Sequence, residues 1–137
     1  MVRRRDFIKG LAAGAAGSAA QGCGGAGVSG PLRPPPPAPR ILRTPLPALG
    51  ETRAVFDGDL ALAVTRVAPG AVVAVSRTCT HMGCLVLVPA PPDRTLDCPC
   101  HGSRFTTAGV VVNGPAPAPL PSFPARIDGE EVVITVS

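Results

Sequence analysis

The chain has 137 residues, including 18 Pro and 16 Gly, and is 45% hydrophobic with four Phe and no Trp or Tyr. Gly and Pro disfavour helix interiors, which argues against a helical bundle, and stacking single-stranded nucleic acid needs more aromatic surface than this. The net charge of +4 adds no nucleic-acid footprint, because Arg3, Arg4, Arg5 and Lys9 against Asp6 put +3 into the first ten residues and leave the remainder near neutral.

The first segment reads as an address. Arg4-Arg5-Asp6-Phe7-Ile8-Lys9 precedes an uncharged Gly/Ala stretch that ends in small residues near Ala20. A basic start, an apolar stretch and small residues at its end make an export signal. The paired arginines followed by Phe, Ile and Lys resemble the twin-arginine signal, with Arg3 where Ser or Thr is expected. Twin-arginine export carries folded proteins, so the mature part is expected to hold a cofactor acquired before export. Residues 1–22 are assigned to this signal, with an uncleaved membrane anchor over 10–30 as the alternative. Cys23, preceded by Ala20-Gln21-Gly22, is a candidate lipid acceptor, which gives the odd fifth cysteine a purpose. Residues 23–50 follow as a Pro/Gly-rich linker, with eight prolines between Pro31 and Pro47. Such a stretch favours extended polyproline II and predicts a disordered tether.

From Glu51 the pattern changes to short apolar runs rich in Val. Thr52–Phe56, Leu60–Val67 and Ala71–Ser76 are predicted strands, separated by Asp57-Gly58-Asp59 and Pro69-Gly70. Leu85–Val88, Arg104–Thr106 and Val110–Val112 are further strands, with a turn over Pro89 to Arg94 and a hairpin closed by Ala108-Gly109. Ala125–Asp128 and Glu131–Val136 form a last hairpin around Gly129. Short strands with a turn about every ten residues predict an all-β antiparallel sandwich or small barrel over 51–137. So short a domain has a marginal core and benefits from a staple.

The chemistry lies in two loops, Cys79-Thr80-His81-Met82-Gly83-Cys84 and Cys98-Pro99-Cys100-His101-Gly102-Ser103. They hold both histidines of the chain and four of its five cysteines. One spacing within them is C-x-H, sixteen residues, then C-x-x-H. Two thiolates with two imidazoles suit zinc or an iron–sulfur centre.

The paired loops resemble the Rieske [2Fe–2S] motif, in the version with an extra Cys in each loop that belongs to cytochrome bc complexes and some periplasmic oxidases. The resemblance covers Arg77 to about Leu120 tightly. It implies an antiparallel β base with a small cluster-binding subdomain over about 77–113. Cys79 and Cys98 would ligate one iron, and His81 and His101 the other. Cys84 and Cys100 match the positions that form a disulfide between the loops, which would persist only in an oxidising compartment. Closing such a span is worth about 3 kcal/mol in the chain-entropy model. Replacing two thiolates by neutral imidazoles raises the potential to roughly −150 to +300 mV, against about −400 mV for plant-type clusters.

Further positions follow from the same resemblance. Ser103 matches a hydroxyl that donates to a cluster sulfide. Phe105 stands where bc-type proteins commonly carry a Tyr that donates to a ligand sulfur, so one donor is missing here. Gly83 and Gly102 would permit tight loops with backbone N–H groups turned toward sulfur, and Met82 would cover the tip where a partner docks. Gly114-Pro115-Ala116-Pro117, after Asn113, resembles the family's proline loop.

The implied function is exported one-electron transfer from a quinol or a partner oxidoreductase to a periplasmic acceptor such as a c-type cytochrome. The alternative is the iron–sulfur subunit of a bc-type quinol oxidoreductase. A zinc-stabilised binding module is a third reading. Ring-hydroxylating systems generally lack the extra Cys pair. A membrane tether would run through Cys23 or the N-terminal segment, on the periplasmic side.

Overall fold

Ten strands and no helix make up the described residues, 33–90 and 93–137 of a computed structural model. The expected export signal over 1–22, the acceptor Cys23 and the first part of the linker lie outside them. In chain order the strands are β1 (Arg40–Pro45), β2 (Thr52–Asp57), β3 (Leu60–Ala68), β4 (Ala71–Ser76), β5 (Thr95–Asp97), β6 (Arg104–Thr106), β7 (Val111–Asn113), β8 (Ser122–Phe123), β9 (Ala125–Asp128) and β10 (Glu131–Val136). Pairing is antiparallel throughout, in three sheets of order β1-β10-β9, β2-β3-β4-β8 and β5-β6-β7. The unit Pro36–Ser137 contains all of them. No helix of the described residues is long and apolar enough to cross a membrane.

Successive residues of a strand point to opposite faces, and β3 uses both. Leu62 and Val64 pack with Ala74, Val132 and Ile134 between the β2-β3-β4-β8 and β1-β10-β9 sheets. Ala63, with Val75 from β4, points the other way into a second core with Val86, Leu96, Phe105, Ala116, Leu120, Cys79 and Cys98. Every residue from Ala61 to Thr65 is therefore buried. Fully burying one such aliphatic side chain contributes roughly 1.5–3 kcal/mol. The β3–β4 pair is thus a common wall, with the base on one side and the cysteine-bearing sheet on the other.

The expected linker to residue 50 is corrected at its end. Arg40–Pro45 is a strand paired in full register with β10, from Arg40↔Val136 to Pro45↔Glu131. Leu42 packs on the base core and Thr44 is buried. Arg40 also reaches Asp57 on β2 at 2.9 Å. Prolines on both sides of this short strand hide its alternation, and its partner strand, Glu131–Val136, lies at the far end of the domain. β5 and β8 were not legible either, being three and two residues long. The expected strand Leu85–Val88 is instead two isolated bridges, Thr78↔Leu85 and Leu87↔Asp97.

The β6–β7 hairpin closes at Gly109, with φ +86°. A Cβ there would stand 3.1 Å from the Leu120 carbonyl oxygen and 3.2 Å from Val75 Cγ1. Left-handed backbone and missing space both require glycine at this position. Gly109→Ala is therefore expected to cost about 2 kcal/mol or more, by strain plus overpacking. Denaturant unfolding checks this, with Gly129→Ala, strained but uncrowded, expected to cost less.

Candidate metal centre

The two loops are built by the same backbone device. In the first, the Cys79 N–H donates to the Cys84 carbonyl at 2.8 Å and the Gly83 N–H to the Cys79 carbonyl at 2.9 Å. In the second, the Cys98 N–H donates to the Ser103 carbonyl at 2.8 Å and the Gly102 N–H to the Cys98 carbonyl at 3.1 Å. Each loop turns on a glycine four residues after its first cysteine, at φ +77° for Gly83 and +78° for Gly102. The first loop is closed at its base by the Val86 N–H on the Arg77 carbonyl, 2.7 Å. The second is set between β5 and β6. Repetition of one turn places the first cysteine of each loop inward and the histidine at the rim.

Cys79 and Cys98 are both free thiols and both buried. The His81 and His101 rings meet edge to face, with centroids 4.7 Å apart. His101 is exposed and His81 half-buried. Cys84 and Cys100 are joined as a disulfide, sixteen residues apart in sequence, which ties the loops to each other. The sulfurs of Cys84, Cys98 and Cys100 all lie within 4.8 Å of one another. Two of these are committed to their own bond, so Cys98 alone of the three offers a thiolate.

The remaining donors fit a metal group. Burial pushes the Cys79 thiol up, but hydrogen bonds from the His81 and Met82 N–H groups and the Cys98 and Ser103 side chains outweigh it, leaving the thiol below its ordinary value. A sulfur surrounded by donors is prepared to carry negative charge. His81 Nδ1 is buried with no hydrogen-bond partner among the described residues. A buried polar atom left unpaired is costly, and coordination would use its lone pair. Two thiols and two imidazoles, one with an orphaned nitrogen, are a donor set for an iron–sulfur or zinc centre.

A third loop covers the site. Gly114–Pro115 is a cis peptide, Gly114, Pro115 and Pro117 are exposed, and Ala116 turns into the core shared with Cys79 and Cys98. Ser103 is fully buried: its hydroxyl accepts the Ala116 N–H at 3.0 Å and is among the groups that hold the Cys79 thiol below its ordinary value. Thr80 Oγ1 donates to the Ala118 carbonyl at 2.6 Å, and Asn113 Nδ2 to the Gly114 carbonyl at 3.1 Å. Phe105, also fully buried, packs in the same core. Met82 stands out at the tip, 69% exposed.

The Gly83 and Gly102 N–H groups bond cysteine carbonyls, and the backbone N–H groups that face the Cys79 sulfur are those of His81 and Met82. Thr80 and Arg77 were not singled out. Arg77 is 5% exposed, donates from Nε to the Val86 carbonyl at 2.8 Å and lies 5.3 Å from the Phe56 ring centroid. Burial pushes its guanidinium below its ordinary value. An Arg before a Cys carries no spacing signal, so only the fold reveals its role in closing the first loop.

A family model for the Rieske [2Fe–2S] domain matches residues 44–124. The cytochrome b6-f complex iron–sulfur subunit of Chlorobaculum thiosulfatiphilum is 37% identical over 109 residues, covering 73% of this chain and 59% of that protein. The corresponding subunit of Chlorobaculum tepidum is 35% identical over 82 residues, covering 60% of this chain and 44% of that protein. The chain thus spans about half the length of these curated relatives. The crystal structure of the plasma membrane Rieske protein PetC3 from Synechocystis PCC 6803 superposes with a TM-score of 0.55 at 30% identity, covering 61% of this chain and 84% of that one.

Ser103→Ala removes a buried donor and acceptor at once. It is expected to cost about 1–3 kcal/mol, since the Ala116 N–H loses its partner. Denaturant unfolding measures the loss, and hydrogen exchange at the Ala116 amide should accelerate while exchange at Ile134 follows only the global change.

Proposed function

The chain belongs to the Rieske [2Fe–2S] family, and from that premise we propose that it is an exported one-electron carrier. It would pass electrons from a quinol or a partner oxidoreductase to a periplasmic acceptor such as a c-type cytochrome. Cys79 and Cys98 would hold one iron through sulfur, and His81 and His101 the other through nitrogen. The observation that carries this reading is the convergence of two buried free thiols and two rim imidazoles on loops joined by the Cys84–Cys100 disulfide. When bound, the cluster takes up and returns a single electron at a potential above that of all-thiolate centres.

The chain's own residues then do three things. The His81 and Met82 N–H groups and the Ser103 hydroxyl hold charge at the Cys79 sulfur. With His81 Nδ1 engaged, Nε2 is the atom left to hold or release a proton, which would couple electron and proton transfer. Ala116 and its neighbours exclude water from one side of the thiols, while exposed His101 and Met82 leave the tip open to a partner. Export and a membrane tether through Cys23 or residues 10–30 remain part of the proposal and rest on the sequence pattern.

A second reading is the iron–sulfur subunit of a cytochrome bc-type quinol oxidoreductase. It is favoured by the b6-f subunits among the relatives, of which this chain covers only part. The two readings share one site and differ in the donor.

Electron paramagnetic resonance of the reduced full chain should give a Rieske signal with low average g. A colourless protein with one bound zinc and no such signal would end the proposal in favour of the zinc-stabilised module. A shift of the signal with quinol analogues would select quinol oxidation, and its absence a protein donor. Phe105→Tyr should raise the midpoint potential by supplying the missing donor in the shared core. Redox titration decides, and an unchanged or lower potential contradicts that role for position 105.

A further inference from the structure

A cavity of about 170 Å³ lies away from the cysteine loops, lined by Gly50, Thr65, Arg66, Val67, Arg94 and Thr107. No carboxylate lines it. Arg40, Arg43, Arg53, Arg104 and Arg126 each have an acidic partner within 4.0 Å, whereas among the described residues neither Arg66 nor Arg94 has one. Arg66 spends one terminal nitrogen on the Pro69 carbonyl at 2.8 Å. Its Nε is buried with no acceptor among the described residues. A charged donor left buried without an acceptor is expensive, and two guanidinium groups on one cavity repel. Both defects are removed by a bound anion.

Hydroxyls are at hand as well. Thr65 Oγ1 lies 2.8 Å from Thr52 Oγ1, and either can donate. When Thr52 is the donor, the Thr65 proton is left for the cavity. Thr107 lines the cavity as well. Forked donors from two arginines with hydroxyls on the same cavity match an anion that accepts in several directions. We propose that this cavity binds a tetrahedral oxyanion of the phosphate or sulfate type.

The site would have a structural consequence. Gly50, Thr65 and Arg66 belong to the base, while Arg94 precedes β5 and Thr107 follows β6. The cavity therefore lies at the ends of β5 and β6 away from Cys98 and Ser103. An anion there would fasten the cysteine-bearing sheet to the base from the far side. This inference does not depend on the proposed electron-transfer role.

Calorimetric titration of the full chain with sodium phosphate and sodium sulfate, against chloride at matched ionic strength, tests it. Saturable binding of the oxyanions is expected, with a rise in the unfolding midpoint that chloride does not give. Arg66→Gln and Arg94→Gln should each weaken binding about tenfold or more. Arg126→Gln removes the same charge elsewhere and should leave binding intact. Arg94 is exposed, so its variant carries the test even where the Arg66 variant folds poorly. Co-sedimentation with phosphatidic acid vesicles, lost in Arg94→Gln, would identify the phosphate as a lipid headgroup's. Binding of the free ion alone would identify a solute. Equal behaviour of phosphate and chloride, or equal weakening by all three variants, would overturn the site.

Discussion

The site depends on a wall that is thin and apolar on both faces. β3 and β4 present Leu62, Val64 and Ala74 to the base and Ala63 and Val75 to the cysteine-bearing sheet. The small side chain of Ala63 on the second face lets Phe105, Leu96 and Val86 approach closely. This matters because β5, β6 and β7 are three residues each and could not stand as an independent sheet. Burial against the wall supplies the stability that their own pairing lacks. Gly109, in contact distance of Val75 and Leu120, marks how closely the hairpin is pressed against it.

On that support the loops solve one problem twice. Each must bring a thiol inward and an imidazole outward within three or four residues, without a helix to set the spacing. The repeated pair of hydrogen bonds, closing on a left-handed glycine, does this from backbone geometry alone. Fixing the loops in place is a separate task, shared by the Cys84–Cys100 disulfide, Ser103 and Thr80. These fasteners run in different directions. The disulfide joins loop to loop, while the two hydroxyls join each loop to the proline segment.

What the sequence made legible follows from the same physics. The two loops stood out because their residue types are rare elsewhere in the chain and their spacing is restrictive. β2, β3, β4 and β10 were readable from apolar, Val-containing runs, and β6, β7 and β9 from the Gly turns beside them, to within a residue at each end. β1 was hidden because prolines surround it and its support is non-local. The wall was invisible for a related reason: a strand buried on both faces reads as a continuous apolar run, and nothing in the run assigns alternate residues to different cores. Thr80 and Arg77 were missed because their roles rest on carbonyls brought near by folding, Ala118 in one case and Val86 in the other.

The arrangement suits the one-electron role proposed for it. Adding an electron to a buried group adds a negative charge, and a flexible or apolar site would have to rearrange to receive it. Here the groups around Cys79 include, besides the Cys98 side chain, backbone N–H groups held by a closed turn and a hydroxyl locked by its own acceptor role toward Ala116. Such preorganised dipoles stabilise charge without moving when it arrives. The orientation of Ser103 is set by the proline loop, so that segment acts on the thiol as well as covering it. A loop that only shielded the site would need no hydrogen bond to the residue that faces the sulfur. That it makes one means that access and electrostatics are fixed by the same contact, and a change to either reaches the other.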